Sequence, residues 1–135
     1  MPLYGKEHVE RYQETDGREG YDWEKGTTIL LLYTKGRKSG QERVHPLIFR
    51  EWEGDYLIVA SKGGAPEPPE WFLNLEQTPD VEVQIKGDRF AAKARTASPS
   101  EKPSRWQAMV DVWPDYSEYQ KKTDRNIPVV ILERA

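Results

Sequence analysis

Lys35, Arg37, Lys38 and Arg43 place four basic side chains within nine residues, interleaved with Thr34, Gly36, Ser39, Gly40 and Gln41 and accompanied by one acid, Glu42. Four bases against one acid make residues 34–43 locally +3, in a chain whose formal net charge is -3. The two glycines let backbone N–H groups approach a ligand closely. The Lys, Arg, Ser and Thr side chains can each donate a charge-assisted bond of about 1.5–3 kcal/mol to phosphate or carboxylate. Such a loop can hold a polyanion. The same residues are also good turn formers, and a solvated hairpin loop would need no ligand.

A second set lies downstream. Ser61-Lys62-Gly63-Gly64 is another polar, glycine-bearing run, and the aromatic residues include Trp71, Trp106, Trp113, Tyr116 and Tyr119. Five Trp and seven Tyr are many for 135 residues, and rings that a small core does not absorb line pockets. Cations at one end and flat apolar walls at the other fit a ligand with an anionic tail and a planar ring. A flavin-like cofactor has that shape; the protein would orient its reactive atom and the cofactor would supply the chemistry. Core packing is the alternative role for Trp71 and Trp106. Tyr116 and Tyr119 follow Pro114, which breaks the helix before them, and read as pocket lining.

Other chemistries lack their parts. Without cysteine there is no disulfide, thiolate nucleophile or cysteine-ligated metal, which fits a reducing cytoplasm. His8 and His45 are the only histidines and lack metal-ligand spacing, so no metal site is expected. A serine hydrolase would need a G-x-S-x-G elbow and an acid to orient its histidine, and nothing in the chain marks out either. The P-loop and G-x-G-x-x-G patterns are absent. None of the 23 acidic residues is singled out as half of a catalytic carboxylate pair. The longest apolar run, residues 29–33, falls far short of the roughly 20 residues of a membrane span, and residues 1–22 lack a signal-peptide core; a soluble, cytoplasmic protein is expected.

The elements that must position these residues follow from period and punctuation. At 135 residues the chain is the size of one domain with one core. Residues 1–26 hold four glycines, many charges and scattered aromatics at Tyr4, Tyr12, Tyr21 and Trp23 without a sustained period. They read as a mobile arm that could form a short helix near residues 7–13. Residues 27–135 form the folded domain. Strands are expected at 27–34, 43–50, 56–60, 81–85, 90–96 and 127–132. The second should be irregular near His45, because Pro46 cannot donate to a ladder and marks an edge or a bulge. A helix is expected over 70–77. Another begins at a capping box on Ser98 and Glu101 or at Ser100, carries Trp106, Met109, Val110 and Trp113 on one face, and breaks at Pro114. Most connections are too short for parallel crossovers, so the fold class is α+β, mainly β: a six-stranded, mostly antiparallel barrel with peripheral helices.

Five separate motifs, in order, carry a family resemblance: Thr34-Lys35-Gly36-Arg37-Lys38-Ser39-Gly40-Gln41; Arg43-Val44-His45-Pro46-Leu47; Val59-Ala60-Ser61-Lys62-Gly63-Gly64; Trp71-Phe72-Leu73-Asn74-Leu75; and Trp113-Pro114-Asp115-Tyr116-Ser117-Glu118-Tyr119-Gln120 with Thr123-Asp124-Arg125-Asn126-Ile127-Pro128. Together they resemble the actinobacterial deazaflavin-dependent nitroreductase family, from about residue 28 to the end. The resemblance implies a split β-barrel and coenzyme F420, an 8-hydroxy-5-deazaflavin with a phosphate and an oligoglutamate tail. By position, the family's tail and phosphate contacts fall on Arg37, Lys38, Ser39, Gly40 and Arg43. Its ring-side contacts fall on His45, Pro46, Ala60, Ser61 and Lys62, and its substrate-side tyrosines on Tyr116 and Tyr119. Lys35 and Trp71 join the expected cofactor set through the loop's charge and the aromatic wall, and Trp113 joins the substrate set. His45 stands where a nitroreductase has asparagine and Trp113 where it has tyrosine, so nitroimidazole activation does not follow.

The expected function is therefore hydride transfer from C5 of reduced deazaflavin to an organic acceptor such as a quinone, an enone or a nitroaromatic, with Ser61 and Tyr116 as candidate proton donors. FMN on the same barrel is an alternative, disfavoured because one phosphate does not need this density of cations. A non-catalytic barrel that carries a cofactor or binds single-stranded nucleic acid is another, disfavoured for nucleic acid by the net acidity and the confined basic patch. The sequence leaves open whether the arm meets a membrane-borne quinone.

Overall fold

The computed structural model describes residues 3–135. Six strands, β1 (Thr28–Lys35), β2 (Glu42–Trp52), β3 (Asp55–Val59), β4 (Asp80–Ile85), β5 (Asp88–Thr96) and β6 (Val129–Arg134), close into a barrel in the order β1-β2-β3-β6-β5-β4. Every pairing is antiparallel. Four helices, α1 (Gly5–Thr15), α2 (Glu70–Gln77), α3 (Lys102–Val112) and α4 (Asp115–Lys121), lie around it. The mainly β, six-stranded antiparallel barrel read from the sequence is the fold found.

The apolar run of β1 is continuous because both of its faces are covered. Leu30 and Leu32 pack with Phe49, Ile58, Val83, Val130 and Leu132 in the barrel core. Ile29, Leu31 and Tyr33 pack on the other face with Tyr12 of α1. The segment read as an arm thus carries a helix with no apolar stripe but with two anchors, His8 and Tyr12. Tyr12 is 0% exposed. Its hydroxyl donates to the Ile29 carbonyl at 3.0 Å and accepts from the Lys86 N–H at 2.7 Å.

The barrel is split along one seam. β2 pairs with β1 without interruption from Glu42 opposite Lys35 to Phe49 opposite Thr28, with Pro46 opposite Leu31. The irregularity expected at Pro46 is therefore absent from the ladder; the proline marks an edge. β3 joins β2 only at Arg50, Glu51 and Trp52, after which it stays with β6, and the Ala60 N–H bonds to the Pro128 carbonyl at 3.0 Å. Among the described residues no strand pairs with the outer edge of residues 42–49. Just ahead of α3, whose N-cap is Glu101, the reciprocal bonds of the capping box form on Ser98: its N–H donates to Glu101 Oε1 at 3.0 Å while the Glu101 N–H donates to its hydroxyl at 3.3 Å. Pro114 separates α3 from α4 as its ring geometry requires.

Candidate active site

A cavity of about 520 Å³ opens where β2 and β3 part. His45, Pro46 and Ile48 on β2 form one side; Val59, Ser61 and Lys62 at the end of β3 form the other. Trp71 of α2 and Trp113, Tyr116 and Tyr119 around α4 wall it. The remaining wall comes from the N-terminal segment, through Tyr4, His8 and Trp23. Of the residues expected to touch cofactor or substrate, His45, Pro46, Ser61, Lys62, Trp71, Trp113, Tyr116 and Tyr119 come together here.

The cationic loop meets the cavity through Arg37, whose partner Glu70 lines it. Within it the Gly36 N–H bonds the Gln41 carbonyl at 2.7 Å, the Gly40 N–H bonds the Gly36 carbonyl at 2.8 Å and Ser39 Oγ accepts from the Gln41 N–H at 3.1 Å. A side chain at Gly36 would meet Ser39 Oγ at 3.0 Å and the Gln41 carbonyl at 3.1 Å, so the tight turn would have to give by a few tenths of an ångström to admit one. Asn74 of α2 fixes the loop to the barrel: its Oδ1 accepts from the backbone and the guanidinium of Arg37, both at 3.1 Å, and its amide donates to Thr34 at 3.3 Å. Arg37 is also paired with Glu70, a cavity residue, at 2.6 Å. That cation holds the Glu70 carboxyl below its ordinary pKa. Lys38 and Arg43 are exposed and, among the described residues, carry no ion pair. Lys35 and Gly40 border a different groove, beside Glu42, Asp80 and Glu82. Ala60 is packed in the barrel core.

Ser61 opens the short turn after β3 and is 8% exposed. Arg125, whose role the sequence did not reveal, holds this turn by donating to the carbonyls of Ala60 (3.2 Å), Ser61 (2.8 Å) and Ala65 (2.9 Å). Gly64 has φ +85°, and a Cβ there would lie 2.6 Å from the Tyr119 carbonyl. Only glycine lets the turn press against α4 and so set Ser61 across from Tyr116 and Tyr119.

The aromatic wall is continuous. Tyr116 lies against Trp106 (centroids 6.4 Å) and edge-on to Tyr119 (6.1 Å). Trp113 donates to the Tyr119 hydroxyl at 3.4 Å and tilts against Trp23 at 5.7 Å. Trp23 in turn meets Tyr4 edge-on at 5.6 Å and stacks on His8 at 6.4 Å. Tyr116 is 5% exposed, and burial, with the neighbouring Tyr119, pushes its phenol well above the ordinary value of 10. It therefore remains protonated at any neutral pH. Tyr4, His8 and Trp23 were visible in the sequence as aromatics without a period; their spacing gave no sign that they would meet Trp113. Trp106 turns toward a separate groove beside Lys102 and Pro128.

Residues 4–134 match the model of the family described as F420H(2)-dependent quinone reductase. The chain belongs to that family. It is 38% identical over 130 residues to an F420H(2)-dependent quinone reductase of Mycobacterium tuberculosis (strain ATCC 25618 / H37Rv), covering 94% of this chain and 87% of the relative. A solved F420-H2 dependent reductase, FDR-A, superposes with a TM-score of 0.72 at 43% identity, over 78% of this chain and 93% of that one. Another solved chain, described as a domain-swapped dimer, gives a TM-score of 0.75 at 41% identity over 95% and 96%. As a member of the F420H(2)-dependent quinone reductase family the protein is a deazaflavin-dependent reductase, and its cofactor is coenzyme F420. The residues present fit that group. The cationic loop, in which Lys38 and Arg43 carry no ion pair among the described residues, offers charge for an anionic tail and touches the cavity through Arg37 and Glu70; the cavity is mainly apolar and aromatic, and its volume lies within the roughly 300–1,000 Å³ of cofactor sites.

Proposed function

We propose that the protein reduces a quinone, or a related flat acceptor such as an enone or a nitroaromatic, with the cofactor's ring and the acceptor both held in the cavity at the barrel's split. The reading is supported above all by the meeting of Ser61 and Tyr116 in one aromatic-walled cavity, which the cationic loop reaches through the Arg37–Glu70 pair. When bound, reduced coenzyme F420 supplies a hydride from C5, and the absence of N5 confines it to two-electron chemistry.

The chain's own residues do the rest. Lys38 and Arg43 bind the anionic tail, assisted by Arg37 where Glu70 leaves it free. Pro46 and Trp71 flank the ring, and Trp113 with Tyr119 flanks the acceptor, so that the reacting atoms meet in a fixed orientation and water is excluded. Hydride delivery to a quinone leaves negative charge on an oxygen. Tyr116, held protonated, and Ser61, whose main chain Arg125 pins, offer O–H groups to that oxygen. The second proton of the two-electron reduction reaches the product through these donors or from solvent.

Titration with F420 and with FMN, followed by quenching of tryptophan fluorescence, tests the cofactor site directly, because Trp23, Trp71 and Trp113 line the cavity. Tighter binding of F420 is expected, with single-turnover oxidation of the bound reduced form by a soluble quinone. Equal or tighter binding of FMN would overturn the assignment.

A further inference from the structure

His45 is the cavity residue whose chemistry the proposed reaction leaves unused. It lies on the stretch of β2 whose outer edge meets no strand, in register with Leu32 of β1. Its Nδ1 is, among the described residues, the one buried side-chain nitrogen or oxygen without a hydrogen-bond partner. Nε2 is not sealed in this way, so the ring has one nitrogen enclosed by protein and the other toward the cavity.

A neutral imidazole has a single N–H, and the nitrogen that carries it is set by what each nitrogen can bond to. A proton on Nδ1 would make a buried donor with nothing to donate to, which costs more than a lone pair left without a partner. A proton on Nε2 can reach solvent or ligand. Charging the ring would force an N–H onto Nδ1, so the neutral form is favoured too. Burial and the Arg43 cation, two residues along on the same face of β2, both hold its pKa below the ordinary 6.5. The other charged side chains bordering the cavity are already matched: Glu70 of α2 pairs with Arg37, and Lys62 pairs with Glu67. His8 of α1, also on the cavity, bonds the Gly20 carbonyl through Nε2 at 2.8 Å.

We propose that His45 meets the bound ring as a neutral hydrogen-bond donor, its proton fixed on Nε2 and offered to an oxygen of a planar, carbonyl-bearing ligand. The inference rests on the cofactor reading above, since the deazaflavin ring carries such oxygens. His45 is then a positioning residue: it favours a ring that presents an acceptor at that point and rejects one that presents an N–H, because two donors cannot pair.

Nitrogen-15 NMR of the histidine-labelled free protein reads the tautomer, and loss of signals in His45→Gln assigns them. A protonated Nε2 and an unprotonated Nδ1 are expected at pH 7; a protonated Nδ1 overturns the proposal. Binding supplies the second readout. A glutamine amide nitrogen falls roughly where imidazole Nε2 lies, and an asparagine amide roughly where Nδ1 lies. His45→Gln should therefore keep the F420 dissociation constant within about threefold, while His45→Asn and His45→Phe raise it about tenfold. Equal affinity in all three variants, with lowered melting temperatures, means packing only and overturns the donor role. A wild-type protein that does not bind F420 sinks the cofactor reading itself. A wild type that binds it, with variants out of this order, sinks the donor alone.

Discussion

In the proposed reaction Tyr116 and the loop cations have separate tasks. If Tyr116 polarises the reduced oxygen of the acceptor, Tyr116→Phe keeps the ring against Trp106 and Tyr119 and deletes only the donor. Acceptor reduction in single turnover should slow about ten- to a thousandfold, with F420 affinity unchanged within about twofold. A variant of normal turnover and lowered melting temperature would assign Tyr116 to packing. For the tail, Lys38→Ala and Arg43→Ala should each raise the F420 dissociation constant about tenfold at low salt, an effect that fades as ionic strength rises. Glu70→Gln should do the opposite, tightening binding, because it frees Arg37 from its 2.6 Å partner. Titration at two salt concentrations separates these outcomes. The positive charge of this loop was legible in the sequence because charge is counted without knowing the fold. That Arg37 is half spent on Glu70 and Asn74 was not legible, since α2 lies more than thirty residues away and nothing local announces the meeting. His45 was likewise visible as a residue, but the enclosure of its Nδ1 depends on how β2 lies against the rest of the barrel.

The elements were readable wherever local chemistry decides them. Pro114 breaks a helix, and that boundary was written in the chain; the start of α3 was left between Ser98 and Ser100, and the Ser98–Glu101 box forms just ahead of the helix. Glu101 also grips Arg95 of β5 through both oxygens, at 2.7 and 2.9 Å, and Arg95 reaches Glu133 of β6 at 3.4 Å. That grip ties the start of α3 to two strands. It holds the Glu101 carboxyl down to about 2 from the ordinary 4.5, the Arg95 hydrogen bonds contributing most. A carboxyl depressed in the folded state adds stability above its unfolded pKa and loses it as pH falls through the folded one. The melting temperature should therefore drop as pH goes from about 4.5 toward 2, and Glu101→Gln should remove part of that slope while lowering the plateau at neutral pH. An unchanged slope in the variant would show that other carboxylates carry the acid transition. What local chemistry could not show is Arg125, whose three carbonyl bonds to the Ser61 turn cross sixty or more residues.

Over the whole molecule, the barrel was legible because short connections leave antiparallel closure as the available solution, whereas the integration of residues 3–26 was not. They have no apolar period, and two buried side chains do the anchoring. Tyr12→Ala should cost about 3–5 kcal/mol, as for other buried aromatics, measured by denaturant unfolding; a loss below about 1 kcal/mol would show that α1 sits on the barrel without supporting it. The seam between β2 and β3 has one more consequence. An edge with unmet amides and carbonyls invites a second molecule to add its own strand, and repeated addition leads to aggregation. Residues 42–49 are such an edge, and the cavity opens beside it. Pro46 stands near its middle with no N–H to give, so an incoming strand finds the ladder interrupted where it would need to start. If Pro46 flanks the ring as proposed, the same residue also makes this edge a poor template for an added strand while the cavity beside it stays open to a small molecule.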